Sequence, residues 1–282
     1  MRILITGAGG QLGHDLMAVL AADDVKATDL AHLDITNRAA VVSTVVDFRP
    51  DWIINSAAYN DVDGAESAQK AAFALNARGP GNLADAAAEA GVKLVHISSD
   101  YVFDGRKGSA YTEEDEPNPL NVYGRSKREG ELRVLSSRAS ACVLRTAWLY
   151  GLNGKNFVKA ILNAAKRGEP LKVVADQIGS PTSSRDLAHA ISSLIRTSAR
   201  GLFHVVNAGA CSRFEFAKAI VRGSVRVDPI TTAEDGRRAH RPLYTALASV
   251  RWEAVGLAPL RPWEAALNDF LESYQGLQSE AR

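Results

Sequence analysis

The sequence predicts an α/β fold: a doubly wound parallel sheet with a smaller C-terminal lobe partly interleaved with it. Three observations predict it. Short apolar runs alternate with alanine-rich helical stretches through the first half of the 282 residues. Runs such as Ile3–Thr6, Trp52–Asn55 and Ala141–Thr146 are apolar almost throughout rather than at every second residue, as strands covered on both faces require. After Tyr150 the alternation loosens. With 46% hydrophobic residues, the chain has the material for a packed core.

In order, Ile3–Thr6 reads as a strand, Gln11–Ala22 as a helix, Val25–Thr28 as a strand and Arg38–Phe48 as a helix. Trp52–Asn55 is the third strand. Ala65–Ala90 is rich in Ala, Leu and Glu and reads as helical, with an interruption expected at Gly79–Pro80–Gly81. Val92–Ser98 is the fourth strand, Leu120–Leu135 a helix and Ala141–Thr146 the fifth strand. Beyond Tyr150, helices are expected at Asn156–Arg167, Arg185–Arg196, Phe214–Arg222 and Trp263–Tyr274, with strands at Leu171–Val174 and Leu202–Val206. Ser224–Leu260 reads as irregular and rich in Arg and Pro, and Gln275–Arg282 as a frayed tail. The expected division is a first domain over 1–150, completed by parts of 183–206, and a discontinuous second lobe drawn mainly from 151–282.

A formal net charge of +1 argues against a nucleic-acid or membrane-surface partner held by bulk charge. Cys142 and Cys211 lie far apart and lack metal-ligand spacing, so neither a metal centre nor a disulfide framework is expected. No apolar run is long enough to span a bilayer, and the opening Arg2–Gly7 run lacks the apolar core of a signal peptide. The expected location is the cytoplasm.

Gly7, Gly10 and Gly13 follow the first strand and open the first helix as Gly-x-x-Gly-x-x-Gly, with Gln11 and Leu12 between the last two. The first glycine permits a tight turn, the second a close approach to a pyrophosphate, the third close helix–strand packing. Phosphates then sit at a helix N-terminus, where free N–H groups and the dipole favour an anion. This predicts a Rossmann-type dinucleotide site. Asp29, at the end of the second strand, is placed to bond an adenosine ribose hydroxyl and to repel a 2′-phosphate, which tilts the cofactor toward NADH. Asp34 of Leu33–Asp34–Ile35 is the rival for that role, and NADPH stays open.

Tyr123 and Lys127 are four residues apart, so on a helix they share one face. A neighbouring ammonium favours the phenolate, so the spacing predicts a tyrosine pKa lowered from its usual value of about 10. Such a phenol can pass a proton to or from an oxygen. Ser98 and Ser99 end the preceding apolar run and offer hydroxyls to the same place. With the glycine loop, the set points to hydride transfer. Taken alone, the serines also read as strand terminators and the Tyr–Lys pair as a solvated helix face.

These residues resemble the extended short-chain dehydrogenase/reductase group and, within it, the dTDP-4-dehydrorhamnose reductases. The resemblance covers almost the whole chain. It rests on Gly10–Gly13, Asn55–Tyr59, Val62–Glu66, Ser98–Gly105, Pro119–Lys127, Arg145–Gly151, Asn156–Val158 and Asp176–Thr182, in that order. It implies that Tyr123 protonates the C4 carbonyl oxygen of a dTDP-linked 4-keto-6-deoxysugar as hydride arrives from NADPH or NADH. Lys127 then tunes that phenol and bonds the nicotinamide ribose, while Ser99 bonds the substrate oxygen. Ala57, Ala58 and Tyr59 join the cofactor site. Val62, Asp100, Tyr101 and Trp148 line or flank the sugar pocket, although Trp148 also suits a core position, Tyr101 a place under the next loop and Asp100 a loop cap. Asn156, Gln177 and Arg241 are the expected nucleotide contacts, with Arg237 and Arg238 beside the last, and Asn76 helps place the helix before the site. Thr245 stands where the family commonly has serine. Some members are dimers bridged by Mg²⁺ through acidic side chains. Here Asp15 matches one position but Arg185 stands at another, so no metal is expected and a homodimer stays open. A related reductase giving another deoxysugar, or a non-catalytic regulatory subunit of the same fold, are the alternatives.

Overall fold

The computed structural model describes residues 1–280, with side chains through Gln278. The chain runs β1 (Arg2–Thr6), α1 (Gln11–Val19), β2 (Asp24–Thr28), α2 (Arg38–Phe48) and β3 (Trp52–Asn55). Two short helices follow, α3 (Val62–Ala65) and α4 (Gln69–Phe73), then a π-helical turn at Ala74–Arg78 that runs into α5 (Gly79–Ala90). Next come β4 (Lys93–Ser99), a 3₁₀ turn at Asp100–Val102, α6 (Val122–Leu135), β5 (Ser140–Thr146) and β6 (Leu149–Tyr150). The rest comprises α7 (Phe157–Ala165), β7 (Leu171–Val174), β8 (Ile178–Gly179), β9 (Thr182–Ser183), α8 (Ser184–Leu194) and β10 (Gly201–His204). It closes with β11 (Asn207–Ala208), β12 (Cys211–Ser212), α9 (Arg213–Val221), β13 (Val227–Ile230), α10 (Thr232–Asp235), β14 (Leu260–Pro262) and α11 (Trp263–Glu280).

Six parallel strands form the main sheet in the order β10-β5-β4-β3-β1-β2. The order reverses beside β1, with β2 on one side and β3 on the other. That switch point opens a crevice at the carboxyl ends of β1 and β3, where open α/β sheets take their ligands. Ile3, Ile5 and Ile54 face one buried layer with Leu12, Leu16, Leu187 and Ile191, while Leu4, Ile53 and Leu94 face another with Val41, Val45 and Leu83. Each such side chain stabilises the fold by about 1.5–3 kcal/mol. Because both faces are covered, the strands read as continuous apolar runs in the sequence.

The chain beyond Tyr150 does return to this sheet: α8 packs on α1, and β10 adds the outermost strand beside β5. A separate apolar cluster of Tyr150, Val158, Phe216, Trp263 and Leu267 holds α7, α9 and α11 together. Most element ends shift by one to three residues, and three differences from expectation are larger. The expected Ala65–Ala90 helix breaks at Glu66–Ala68 rather than at Gly79–Pro80–Gly81, and Pro80 instead opens α5 after the π turn. Ser224–Leu260 is less irregular than expected, since Val227–Ile230 pairs in parallel with Leu171–Val174. The helix from Trp263 continues to Glu280 through most of the expected frayed tail, and 281–282 lie outside the described residues. Among the described residues no helix is long and apolar enough to cross a membrane.

Candidate active site

The glycine loop turns on Gly7, whose φ of 74° is left-handed. A Cβ there would lie 2.5 Å from the Ala57 nitrogen, so the segment after β3 closes against the loop only because position 7 is glycine. Gly13 is equally committed, since its Cβ would meet Ala8 and the Gly7 carbonyl at 2.5 Å. Gly10 begins α1 without any side-chain cap, which leaves the first-turn N–H groups of the helix for an incoming anion. Asp29 lies beside this loop: its Oδ2 is 3.9 Å from a Cβ built on Gly9, while its Oδ1 accepts from His32 Nδ1 at 2.7 Å and the Ala31 N–H at 3.1 Å. Asp34 turns back on its own segment and accepts the Thr36 N–H at 2.8 Å.

The catalytic candidates converge across the switch point. Asn121 caps α6 by accepting the Gly124 N–H at 2.8 Å, and its own amide donates to the His240 carbonyl of the C-terminal region at 2.8 Å. The Val122 N–H is taken by Glu66 at 2.8 Å. These bonds fix where the helix starts and so put Tyr123 in its first turn. At Gly124 a Cβ would come within 2.1 Å of the Tyr101 carbonyl, so only glycine lets α6 lie against the Asp100–Val102 turn. Tyr101 and Tyr123 consequently meet edge to face at 5.8 Å.

A second tie runs through the π turn, a helical irregularity frequent at functional sites. Asn76, fully buried there, accepts the Tyr59 N–H at 2.7 Å, and its amide donates to the Tyr59 carbonyl at 3.1 Å and to Ser126 Oγ at 3.0 Å. Ser126 Oγ in turn donates to the Tyr123 carbonyl at 2.7 Å.

Ser99 ends β4 with its hydroxyl 3.0 Å from Asp100 Oδ1 and accepts the Tyr101 N–H at 3.2 Å. Asp100 also accepts from Thr245 Oγ1 at 2.6 Å, and burial pushes its carboxyl up to about 6. Lys127, only 2% exposed, donates to the Ile97 carbonyl at 2.6 Å, and burial lowers its ammonium to about 8. The expected lowering of the Tyr123 pKa is overturned: burial drives the phenol well above its ordinary value, Asp100 and Tyr101 add to the rise, and only Ser99 opposes it. Loss of solvation outweighs the charge that the i,i+4 spacing brings. The phenol therefore keeps its proton at neutral pH, the form an acid catalyst needs.

The cleft between these groups is lined by Gly10, Leu12, Ala58, Ser99, Tyr123 and Trp148, among others, and encloses about 170 Å³. A wider depression of about 950 Å³ lies among Val45, Arg49, Trp52 and Lys93 at the amino ends of the strands. Size does not decide between them, because only the smaller cleft gathers the glycine loop, hydroxyls, lysine and phenol.

Trp148 adopts a left-handed φ of 45°, a strained backbone for a bulky residue. Its indole lies against Gly179 and beneath the Arg213 guanidinium, 3.5 Å from the ring centroid. Arg213 was not singled out by the sequence. It opens α9, its N–H is held by the Gln177 carbonyl at 3.0 Å, and its guanidinium lies within electrostatic reach of Tyr101 and Asp100. The Ser212 capping box at the head of α9 was the local signal for its fixed position.

Arg241 donates to Asp63 at 2.8 Å and lies 5.9 Å above the Tyr101 ring, with Nη1 buried and unpartnered. Val62 begins the short helix that carries this Asp63. The other two expected nucleotide contacts bond within the protein. Asn156 caps α7 and donates to Gln11 and the Gly151 carbonyl, each at 2.8 Å. Gln177 is buried and donates to Thr232 at 3.0 Å. Arg237 pairs with Asp235 at 2.8 Å. Asp15 bonds Ser184, and no group of three or more His, Cys, Asp or Glu among the described residues is placed to hold a metal ion.

Known proteins resemble this chain over nearly its whole length. Residues 1–276 match the family model for the RmlD substrate binding domain. The dTDP-4-dehydrorhamnose reductase of Mycobacterium tuberculosis is 45% identical over 278 residues, covering 94% of this chain and 91% of the relative. A probable dTDP-4,6-dihydroxy-2-methyloxan-3-one 4-ketoreductase of Streptomyces antibioticus is 43% identical over 282 residues, covering 95% and 94%. The crystal structure of the Bacillus anthracis dTDP-4-dehydrorhamnose reductase in complex with NADP superposes with a TM-score of 0.94 at 43% identity, covering 96% of this chain and 99% of that one. With the glycine loop, the Tyr–Lys helix and the matched length all in agreement, the chain belongs to the RmlD substrate binding domain family.

Proposed function

We propose that this protein reduces the C4 carbonyl of dTDP-4-dehydro-6-deoxy-L-mannose (dTDP-4-dehydrorhamnose) to give dTDP-L-rhamnose, with NADPH or NADH as reductant. The observation that carries the reading is the convergence of Tyr123, Lys127 and Ser99 on one cleft at the sheet's switch point, beside an uncapped, glycine-opened helix. The Gly7–Ala57 contact and the free first turn of α1 fit a dinucleotide pyrophosphate, which no side chain in those places would admit. NADPH or NADH, held on Gly7, Gly10, Gln11, Leu12, Gly13, Asp29, Ala57, Ala58, Tyr59, Tyr123 and Lys127, supplies the hydride.

Tyr123 gives its proton to the C4 oxygen as the carbonyl carbon becomes tetrahedral, so the product is an alcohol and the phenol is left as phenolate. Lys127, fixed by the Ile97 carbonyl, stabilises that phenolate. Ser99, set by Asp100 and the Tyr101 N–H, presents a second hydroxyl to the same oxygen. Acid catalysis of this kind contributes about 10²–10⁴-fold. Asp100, Tyr101, Trp148 and Arg213 form the wall facing the sugar, and Arg241, with its unpartnered Nη1, is the cation for the nucleotide diphosphate. Residues 1–150 thus carry the cofactor site and much of the sugar wall, and 151–282 adds Arg213 and Arg241 to the substrate side, in a protein of the reducing cytoplasm with Cys142 and Cys211 free and buried.

The Streptomyces antibioticus relative supports a second reading, a ketoreductase of the same type acting on another dTDP-4-keto sugar. Cofactor oxidation with the dTDP-4-keto sugar, run separately with NADPH and NADH and followed by identification of the product, decides between them. No oxidation of either cofactor overturns both.

A further inference from the structure

Below the floor of the cleft lies a charged group that the reaction as described does not use. Glu131 is fully buried on α6, one turn after Lys127 and on the same face. Its carboxylate collects four donors: Ser98 Oγ at 2.6 Å, Arg145 Nε at 2.7 Å, Arg145 Nη2 at 2.8 Å and Arg128 Nη1 at 3.0 Å. These donors come from three of the segments that build the site. Ser98 precedes Ser99 on β4, Arg145 precedes the cleft residue Thr146 on β5, and Arg128 follows Lys127 on α6. The charges do not cancel: one carboxylate stands against two guanidinium groups, with the Lys127 ammonium a turn away.

We propose that Glu131 is the positioning residue of this active site, its carboxylate gathering Ser98, Arg128 and Arg145 so that Lys127 stays protonated and fixed beneath Tyr123. The proposal rests on the reading of Tyr123 and Lys127 as the acid and its tuning group. Glu131 touches neither substrate nor cofactor and acts on Lys127 through space. Burial already pulls the Lys127 ammonium down to about 8, and Glu131 is the group that opposes the fall. The other groups around Lys127 are engaged elsewhere, neutral or cationic: Asp100, on the turn packed against α6 and lining the same cleft, is bonded by Ser99 and Thr245. His96 on β4 is held neutral by burial, Tyr123 on α6 keeps its proton, and Arg128 on α6 and Arg145 on β5 are cations. Loss of the carboxylate charge leaves two guanidinium groups uncompensated beside an ammonium with few alternative partners.

The arrangement gives opposite signs for two substitutions. In Glu131→Gln the Lys127 ammonium loses its one supporting anion and deprotonates at lower pH. In Arg128→Met a cation is removed from the same cluster and Lys127 deprotonates at higher pH. Arg128 is partly exposed, so that variant is the one expected to fold without difficulty.

The test is a direct titration of Lys127 in the full chain by NMR with isotope-labelled lysine, its signal assigned by Lys127→Met. The expected result is a midpoint lowered by about one pH unit or more in Glu131→Gln and raised by about a few tenths in Arg128→Met, with Glu131→Asp close to wild type. The alkaline limb of the kcat/KM profile for cofactor-dependent reduction should move with it. A Lys127 midpoint that is the same in wild type, Glu131→Gln and Arg128→Met, or that moves with the opposite signs, overturns the proposal. If Glu131→Gln does not fold, the upward shift in Arg128→Met decides alone. Because the titration needs no substrate, an inactive wild type with a Lys127 that moves as stated would sink the proposed reaction and leave the Glu131 assignment standing.

Discussion

Replacing Tyr123 by Phe removes one oxygen and little else. The ring keeps its edge-to-face contact with Tyr101 at 5.8 Å, and the helix start keeps its Asn121 and Glu66 ties, none of which uses the phenol. Ser99 retains Asp100 and the Tyr101 N–H, so no buried hydroxyl is stranded. Stability should therefore stay within about 0.5 kcal/mol of the parent, as for substitutions that break no buried pairing. Turnover should not. With the acid gone, water must deliver the proton, and a loss of about 10²–10⁴-fold corresponds to about 2.7–5.4 kcal/mol of transition-state stabilisation. The raised phenol pKa sharpens the expectation: Tyr123 holds its proton throughout the neutral range, so ionisation of this group should not lower the wild-type rate of reduction as pH rises through that range. Single-turnover cofactor oxidation, a fluorescence titration of cofactor binding and a thermal melt measure the three quantities separately. A Tyr123→Phe protein that binds cofactor normally and turns over within about threefold of wild type would refute the argument, since acid catalysis at this position is worth far more.

Three further perturbations probe the wall and floor of the cleft. Gly179→Ala puts a Cβ 2.4 Å from the Trp148 indole, so the ring must leave its place under Arg213; KM for the sugar should rise about tenfold or more while cofactor affinity holds, and unchanged KM would show that Trp148 does not shape the pocket. Arg213→Gln removes the cation stacked on that ring and close to Tyr101, and should raise KM about tenfold with cofactor affinity again constant; a loss of cofactor affinity instead would place Arg213 on the wrong side of the cleft. Asp100 has its folded pKa raised from 3.8 to about 6, so the native state binds this proton more tightly than the unfolded chain does. Its contribution is fully present below the unfolded value and declines as pH rises from about 4 to about 6, by about 3 kcal/mol in all. Denaturant unfolding should show wild type losing stability relative to Asp100→Asn across that window, and parallel curves would disprove the shift.

The cofactor half of the site was legible because its logic is local. Gly7, Gly10 and Gly13 sit within seven consecutive residues from the end of β1 into the first turn of α1, and the positions that demand glycine do so for reasons of turn and packing that any sequence displays. Tyr123 and Lys127 were legible for the same reason, being one turn apart on α6. What spacing does not carry is solvent. The same α6 that brings Lys127 near Tyr123 packs against the Asp100–Val102 turn through Gly124 and takes the half-buried phenol largely out of water, and the desolvation reverses the direction of its pKa. The substrate half is built from pairs remote in sequence. Thr245 reaches Asp100 across 145 positions, Asn121 reaches His240 across 119, and Arg213 stacks on a Trp148 that lies in another element. Each partner alone is an ordinary polar residue. Asn156 and Gln177 show the converse, since residues with the right chemistry are taken up by a helix cap and by Thr232.

That contrast bears on how one chain of this family could come to make a different sugar. The proposed acid, its lysine and the glycine loop are fixed by short-range geometry and by the sheet's switch point, so changing them should cost the reaction itself. The wall of Trp148, Arg213 and Thr245 is held by a handful of long-range contacts from the C-terminal region, among them the single 2.6 Å bond from Thr245 to Asp100. Asp100 in turn touches Ser99, so a shift of that bond moves the second hydroxyl at the reacting oxygen as well as the pocket's shape. Substitution at Thr245 is then expected to alter the ratio of products from two dTDP-4-keto sugars before it alters the rate on either, because the acid at Tyr123 is anchored by a different set of bonds, through Asn121, Glu66 and Ser126. A Thr245→Val protein assayed on a mixture of the two sugars tests this: an unchanged product ratio with a uniformly lower rate would mean that the C-terminal region merely closes the cleft and selects nothing.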